Sequence, residues 1–173
     1  MILLLFLFGL ALGAPSESPS RDNEVMQQPG ERKFKLLRGA CPMFWWSFNG
    51  RCYKYVATRM AWADAEVYCL SQGANLVSIR NTDEQSFVKN LIMNFDHAEG
   101  HTWIGLSDKH KEGTWMWSDG CPVRFVYWSP TQPNNQGGNE HCVHTNVVPD
   151  KKWNDHTCAT NLPYVCATRI TCP

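Results

Sequence analysis

Residues 128–142 read WSPTQPNNQGGNEHC, a stretch that suits neither a helix nor a strand. It holds two Pro, two Gly and three Asn, which are residues that favour turns and loops. Trp128 and Cys142, at its two ends, are residue types typical of a core and of a disulfide. The sequence therefore predicts a long polar loop set into a compact domain, and such loops are usually either functional or disordered.

Short apolar segments with strand-like patterns lie on both sides of this loop. In FNGRCYKYV (48–56), Asn49-Gly50 is a strong turn signal, and Tyr then alternates with Lys and Val as in a strand. Further strands are predicted at ANLVSI (74–79), TWIGLSD (102–108), TWMWSDG (114–120), HCVHTNVV (141–148) and LPYVCA (162–167).

Two helices are predicted ahead of most of these strands. The first runs from Thr58 to about Ser71 and ends at Gly73. The second begins with a capping box formed by Thr82 and Gln85. Their apolar faces are Ala61, Ala65 and Cys69 in the first, and Phe87, Val88, Leu91, Ile92 and Phe95 in the second. Two helices followed by several strands predict an α+β fold.

Length and composition limit the possible functions. The chain has 173 residues, which suggests one domain with appendages. Lys+Arg and Asp+Glu are balanced at 16 each, so charge gives no reason to expect nucleic acid or an acidic membrane as a partner. An aromatic content of 12% excludes a mostly disordered chain.

Composition also divides the chain into four segments. Residues 1–13, MILLLFLFGLALG, are apolar and too short to span a bilayer comfortably, so we expect a signal peptide, with a membrane anchor as the alternative. Residues 14–40 are expected to be a flexible arm or propeptide. The domain is predicted over residues 41–167, and residues 168–173 form a short tail. A secreted, extracellular location implies an oxidising compartment, where the eight Cys form disulfides.

Several motifs occur in an order that resembles the C-type lectin domain family in its long form. They are WIGL (103–106), WSDG (117–120), QPN (132–134), Glu140 two residues before Cys142, and WND (153–155). The resemblance covers about residues 41–167 and is strongest to small secreted fish lectins of the galactose-binding and ladderlectin types. It implies two helices packed on antiparallel sheets, stapled by disulfides, with a long loop that binds calcium and sugar. Fish type II antifreeze proteins share this fold.

The resemblance also implies three disulfides, which are Cys41–Cys52, Cys69–Cys166 and Cys142–Cys158. Cys121 and Cys172 are left over and can bond either to each other or between chains. We favour bonds between chains, because one residue lies in mid-domain and the other on a tail that is free to reach outward. The sequence thus predicts a disulfide-linked homo-oligomer.

The family's principal calcium site corresponds to five side chains here. They are Gln132, Asn134, Glu140, Asn154 and Asp155, with a cis peptide implied at Pro133. Calcium prefers six to eight oxygen ligands, and its affinity falls as the charge of the ligands falls. Only two of the five are carboxylates, where relatives of either sugar class have three, so we expect Kd values of ~10⁻⁴ to 10⁻³ M.

The resemblance gives the sugar-binding role to Gln132, Asn134, Glu140 and Asn154. In the family, two neighbouring sugar hydroxyls ligate the calcium, and each also bonds to a carboxylate and an amide. Gln-Pro-Asn lies between the Glu-Pro-Asn of mannose binders and the Gln-Pro-Asp of galactose binders, so both sugar types stay open. One hydroxyl lacks an ionised acceptor, which costs about 1.5–3 kcal/mol.

A second calcium site is implied by Asp108 and Glu112, whose companions at the matching positions are Asn135 and His141. The alternative is that both carboxylates are ordinary solvated loop charges. His141, His144 and Cys142 resemble a zinc cluster, but Cys142 is assigned to a disulfide, so exposed histidines are the favoured interpretation. The Trp residues at 103, 115, 117, 128 and 153 are interpreted as core.

These observations favour a secreted, calcium-dependent, carbohydrate-binding lectin that recognises microbial surface glycans in innate defence. No nucleophile motif supports an enzyme. An ice-binding antifreeze protein and a calcium-independent lectin-like protein that binds other proteins are the alternatives.

Overall fold

A computed structural model describes residues 35–170 and residue 172. The predicted signal peptide, most of the predicted arm and part of the tail therefore lie outside the described residues. The first described residues already contact the domain, because Leu37 forms a bridge with Ser47. Within the described part of the chain, no helix combines the length and the apolar character that crossing a membrane requires.

The described residues form eight strands, two α-helices and a short 3₁₀ turn. In chain order these are β1 (Trp46–Phe48), β2 (Arg51–Met60), α1 (Trp62–Ser71), β3 (Ala74–Leu76), α2 (Thr82–Phe95), β4 (Thr102–Ser107), β5 (Met116–Trp117), the 3₁₀ turn (Gln136–Gly138), β6 (Cys142–Val147), β7 (Lys152–His156) and β8 (Leu162–Thr168). The predicted α+β class is confirmed.

The strands form one sheet in the order β1-β2-β8-β4-β6-β7, with β3 paired to β8 and β5 paired to β4. Every pairing is antiparallel except that of β4 with β8. The first long strand and the last one are neighbours, with Tyr53 opposite Ala167. At the other edge, β6 pairs with β7, so the polar loop before β6 lies beside the strand that carries Asn154 and Asp155.

The first predicted helix begins too early. Residues from Thr58 to Met60 continue strand β2, where Met60 lies opposite Leu162, and α1 starts only at Trp62. Pairing with β8 at Val56 and again at Met60, across an irregularity in register, keeps the segment extended, so tertiary structure overrides its local helical pattern. Cys69 and Ala65 are buried on the helix face that the pattern predicted.

The second helix is capped one residue earlier than predicted. The side chain of Asn81 accepts a hydrogen bond from the backbone N–H of Glu84 at 2.8 Å, so Asn81 is the N-cap and the pair Thr82 and Gln85 is not. Four of the five predicted face residues are buried, but Phe95 is 54% exposed at the end of the helix. There its ring stacks on Tyr55 at 5.8 Å.

Tryptophan side chains contribute to both core clusters of the domain. Trp103 is fully buried in one core cluster. The other cluster contains Trp153, also fully buried, and Trp117, 3% exposed, and the half-buried Trp115 and Trp128 pack against it. The indole N–H of Trp153 donates to Gln85 of α2 at 2.8 Å. Packing of Trp153 within this cluster fixes the position of β7, and therefore also the positions of Asn154 and Asp155, which follow Trp153 in the strand.

A buried guanidinium joins segments that are far apart in the chain. Arg51 is fully buried and forms ion pairs with Glu84 of α2, at 3.2 Å, and with Asp119, at 3.4 Å. It also donates to the carbonyl oxygen of Ser78 and to that of Thr168 at the end of β8. Burial opposes ionisation of Glu84, but hydrogen bonds from Arg80 and Tyr53 and the charge of Arg51 hold its pKa below the usual value.

All eight cysteines are paired within the chain. The pairs Cys41–Cys52, Cys69–Cys166 and Cys142–Cys158 are those that the resemblance implies. The fourth pair joins Cys121 to Cys172, with Cα atoms 5.4 Å apart. The expectation of bonds between chains through these two residues is therefore wrong in this structure, because the C-terminal tail is bonded back onto its own domain.

We predict that Arg51→Met lowers the free energy of unfolding by about 3–5 kcal/mol, because it leaves the Glu84 and Asp119 carboxylates buried without this cation. Arg59→Met, at an exposed position of the same strand, is the matched control and should change stability by less than about 0.5 kcal/mol. Denaturant unfolding of both variants measures the difference. Equal losses in the two variants would contradict a stabilising role for the buried network.

Candidate functional site

The polar loop is pinned to β7 at its start. Trp128 bridges to Trp153, and the backbone N–H of Ser129 donates to the carbonyl oxygen of Trp153 at 2.8 Å. The peptide bond between Gln132 and Pro133 is cis, as the resemblance implies. These contacts bring the middle of the loop next to the side chains of residues 154 and 155.

The Asp155 carboxylate holds the loop through the backbone. Asp155 is fully buried, and both of its oxygens accept from the N–H of Asn134, each at 3.1 Å. One of them also accepts from the N–H of Asn135 at 2.6 Å. A buried carboxylate requires such donors to offset the loss of water, so Asp155, which the sequence predicted to be a calcium ligand, anchors the loop.

Glu140 and Asn134 approach each other across the loop. The backbone N–H of Gln136 lies 3.0 Å from both Asn134 Oδ1 and Glu140 Oε2 and donates to them. The other Glu140 oxygen lies 3.3 Å from His156 Nδ1, and the Glu140 side chain is only 12% exposed. Two of the predicted ligand side chains therefore converge on one point.

Asn135 connects three parts of the site. Its side-chain N–H donates to Glu112 Oε2 at 2.7 Å, and its side-chain oxygen accepts from the backbone N–H of Glu140 at 3.0 Å. Its backbone is left-handed, with φ 41°, a conformation that Asn tolerates better than most residues. Sequence reasoning matched Asn135 only to a second calcium site and missed this clasp, although an Asn followed closely by Gly137 and Gly138 is a signal for a left-handed turn.

Gln132 Oε1 is a buried oxygen whose surroundings test whether the predicted site fits a cation. This oxygen is buried, and it accepts no hydrogen bond from any residue that the structure describes. An unpaired buried carbonyl costs free energy, and a hard cation such as calcium, which takes oxygen ligands, would satisfy it. The donor set of Gln132, Asn134, Glu140, Asn154 and Asp155 consists of oxygens, and two of them carry charge, so the set fits calcium.

Asn154 contacts His144, whose ring stacks on that of His101. Its side-chain nitrogen is 3.4 Å from His144 Nε2, and His144 stacks on His101 with ring centroids 4.4 Å apart. Burial, together with the nearby His101, lowers the pKa of His144 to about 3, so this ring is neutral at physiological pH. The sequence did not predict the contact of Asn154 with stacked histidine rings, because His101 and His144 come together only through the pairing of β4 with β6.

The predicted second-site residues also gather at one place. Asp108, Glu112 and His141 each offer one ligand atom, and these three atoms lie within 4.8 Å of one another. His144 does not join them, because its Nδ1 faces the carbonyl oxygen of Thr145 at 3.3 Å, and Cys142 is bonded to Cys158. The zinc set of His141, His144 and Cys142 is therefore not assembled, in agreement with the interpretation that the sequence favoured.

A hollow of about 190 Å³ lies between the two clusters. It is lined by Glu112, Gly113, Trp115, Pro133, Asn134, Asn135 and Asp155. A concave surface with several oxygen atoms and one half-buried indole can receive a small polar ligand.

Residues 58–168 match the family profile described as the Lectin C-type domain. The chain belongs to the C-type lectin family. The lectins of this family are non-enzymatic proteins that bind carbohydrates. The polar loop of this lectin lies between β5 and β6 and carries the Gln-Pro-Asn sequence.

Two curated relatives and one solved structure illustrate the range of similar proteins. Lactose-binding lectin l-2 of Anguilla japonica is 42% identical over 139 residues, which cover 78% of this chain and 82% of the relative. Galactose-specific lectin nattectin of Thalassophryne nattereri is 37% identical over 141 residues, which cover 82% and 88%. The type II antifreeze protein of herring superposes with a TM-score of 0.70 at 34% identity, covering 76% of this chain and 100% of the antifreeze chain. The expected resemblance to fish lectins and antifreeze proteins is confirmed.

We predict that Asn135→Gly loosens the loop even without any metal. Glycine keeps the left-handed backbone but removes the bonds to Glu112 and to the backbone N–H of Glu140, at a cost of about 1–2 kcal/mol. Amide hydrogen exchange should accelerate at residue 140, while the amide of residue 135 stays protected by Asp155. Asn139→Gly, at an exposed position of the same loop, is the control. Unchanged exchange at residue 140 would show that Asn135 does not hold the loop.

Proposed function

We propose that this lectin is a secreted, calcium-dependent binder of galactose-type glycans. The observation that carries the proposal is the buried, unpartnered Oε1 of Gln132, in the loop that also carries Glu140 and that is held by the Asp155 carboxylate. Gln132, Asn134, Glu140, Asn154 and Asp155 would hold the ion, and the ion would supply coordination positions for two neighbouring sugar hydroxyls. The fit of an all-oxygen donor set to calcium supports this assignment.

The side chains that hold the ion also explain how sugar would be oriented. Glu140 offers an ionised acceptor and Asn154 an amide donor, so together they serve one hydroxyl. Gln132 and Asn134 offer amide donors to the second hydroxyl but no ionised acceptor. Because a hydrogen bond to a charged group contributes about 1.5–3 kcal/mol, we expect a single site to bind sugar weakly.

The preference for galactose rests on the first residue of the tripeptide and on the relatives. Gln132 is the residue that galactose-class lectins have at this place, and two similar lectins are named for lactose and for galactose. Asn134, where the galactose class has Asp, makes the preference incomplete. Mannose-type sugars are the alternative ligand class.

Disulfide pairing supports an extracellular location. Four disulfides in a single domain are typical of proteins that fold in an oxidising compartment. Weak single sites gain strength when several engage a surface together, which suits the repeated glycans of microbial surfaces and a role in innate defence. Since Cys121 and Cys172 bond to each other, any such assembly would have to be non-covalent.

An ice-binding function is the second candidate, because herring type II antifreeze protein aligns over its full length at a TM-score of 0.70. The pair of His156 with Glu140 and the side-chain hydrogen bonds of Asn135 would then order a loop surface that contacts ice instead of sugar. Thermal hysteresis of the purified protein, measured with calcium and with chelator, separates the two functions. Hysteresis without retention on any sugar would replace the lectin proposal with this one.

We predict that about 5 mM calcium raises the free energy of unfolding by about 1–2 kcal/mol, given Kd values of ~10⁻⁴ to 10⁻³ M and binding to the native state alone. Gln132→Met keeps the side-chain volume but removes the unpartnered oxygen. In chelator it should keep or raise the free energy of unfolding, because a buried oxygen without a partner is removed, and it should reduce the calcium increment. Thermal unfolding and calorimetric titration measure both quantities. Identical melting curves with and without calcium in the wild type would exclude the site.

We predict that Gln132→Glu and Asn134→Asp shift sugar preference in opposite directions. Each adds one carboxylate, so both should tighten calcium binding. Glu before the proline recreates the mannose-class order, whereas Asp after it recreates the galactose-class order, and a pure charge effect cannot produce that divergence. A glycan array at saturating calcium, repeated with chelator, reads the result. Tight calcium binding without any sugar binding in both variants would refute the sugar role.

A further inference from the structure

A second group of metal-binding atoms lies outside the proposed calcium site. Asp108 follows β4, Glu112 lies in the next turn, and His141 directly precedes β6. His141 Nδ1 is 3.1 Å from Asp108 Oδ1 and 3.4 Å from Glu112 Oε2. One ring nitrogen therefore faces two carboxylates from the same loop at once.

Neighbouring backbone and side-chain groups fix the orientation of these ligands. The second oxygen of Asp108 accepts from the N–H of Gly113 at 2.7 Å, which turns its first oxygen to His141. The carbonyl oxygen of His141 accepts from the N–H of Asp108 at 3.2 Å and from the hydroxyl of Ser107 at 2.7 Å. Outer contacts of this kind orient ligands at metal sites. The Asp108 side chain is 1% exposed, so its position is set by the fold.

The identity of the donors argues against calcium here. Calcium takes oxygen ligands, whereas imidazole nitrogen with carboxylates is a donor set that suits zinc and similar divalent ions. In a tetrahedral zinc site with bonds of about 2.0–2.1 Å, neighbouring ligand atoms are about 3.3–3.4 Å apart. The two separations measured from His141 Nδ1, 3.1 and 3.4 Å, are close to that value.

We propose that Asp108, Glu112 and His141 form a zinc-binding site in place of the second calcium site that the family resemblance implies. The Glu112 side chain is 59% exposed, so the remaining coordination position faces solvent and can be filled by water. Asn135 links this site to the calcium loop, because it donates to Glu112 Oε2 and accepts from the N–H of Glu140. The zinc site is distinct from the sugar site and does not depend on the lectin proposal.

The test uses the full-length protein without a histidine tag, freed of metal and then titrated with zinc in a calorimeter at saturating calcium. We expect one zinc per chain. His141→Asn should weaken zinc binding by at least about 100-fold, while calcium binding and the melting temperature in chelator stay close to wild type. His110→Asn, an exposed imidazole in the same loop, should bind zinc like the wild type.

The second part of the test is a variant that should prefer calcium over zinc. His141→Asp makes the cluster all-oxygen and adds a carboxylate, so it should lose zinc and gain a second calcium per chain. Cobalt, substituted for zinc, should give the intense visible absorption of a four-coordinate site in the wild type and lose it in His141→Asn. Equal zinc binding by wild type and His141→Asn, or a wild type that takes two calcium ions and no zinc, would overturn the proposal.

Discussion

The buried Arg51 guanidinium is the interaction on which the rest of the fold depends. It ties strand β2 to the N-terminal end of α2 through Glu84, to the segment after β5 through Asp119, and to the end of β8 through a backbone carbonyl. Because Arg51 is the cation that Glu84 and Asp119 share, separating the segments that carry them would leave buried charge with fewer partners. The network fixes β2 and β8 relative to α2. Strands β4, β6 and β7 follow β8 in the order of the sheet.

The polar loop is attached to the sheet by the Asp155 carboxylate. Asp155 is carried by β7, is fully buried, and receives the backbone N–H groups of Asn134 and Asn135. Hydrogen bonds within the loop, made by Asn134, Asn135 and Glu140, shape its middle, and Asp155 fixes that middle to the strand. The same residue supports the fold and belongs to the proposed ligand set, so cation binding would be coupled to the order of the loop.

Two neighbouring clusters differ in their donor atoms, and this difference decides what each can bind. The set around Gln132 and Glu140 offers oxygens, while the set around Asp108 includes an imidazole nitrogen. Asn135 contacts both clusters. The chain is similar both to proteins named as lectins and to a protein named as an antifreeze protein, so function has to be argued from such side chains and not from the fold.

The sequence by itself determined the fold class, most of the strands, the second helix and the identity of the loop, because alternation, turn residues and motif order are local signals. Through resemblance it also predicted a ligand set that includes Asp155 and Asn134, which the structure brings into contact. Tertiary structure decided where α1 begins, since pairing with β8 continues β2 as far as Met60. It also decided the bond between Cys121 and Cys172, the clasp made by Asn135 and the approach of His141 to two carboxylates. These depend on distances between segments far apart in the chain, which no local pattern encodes.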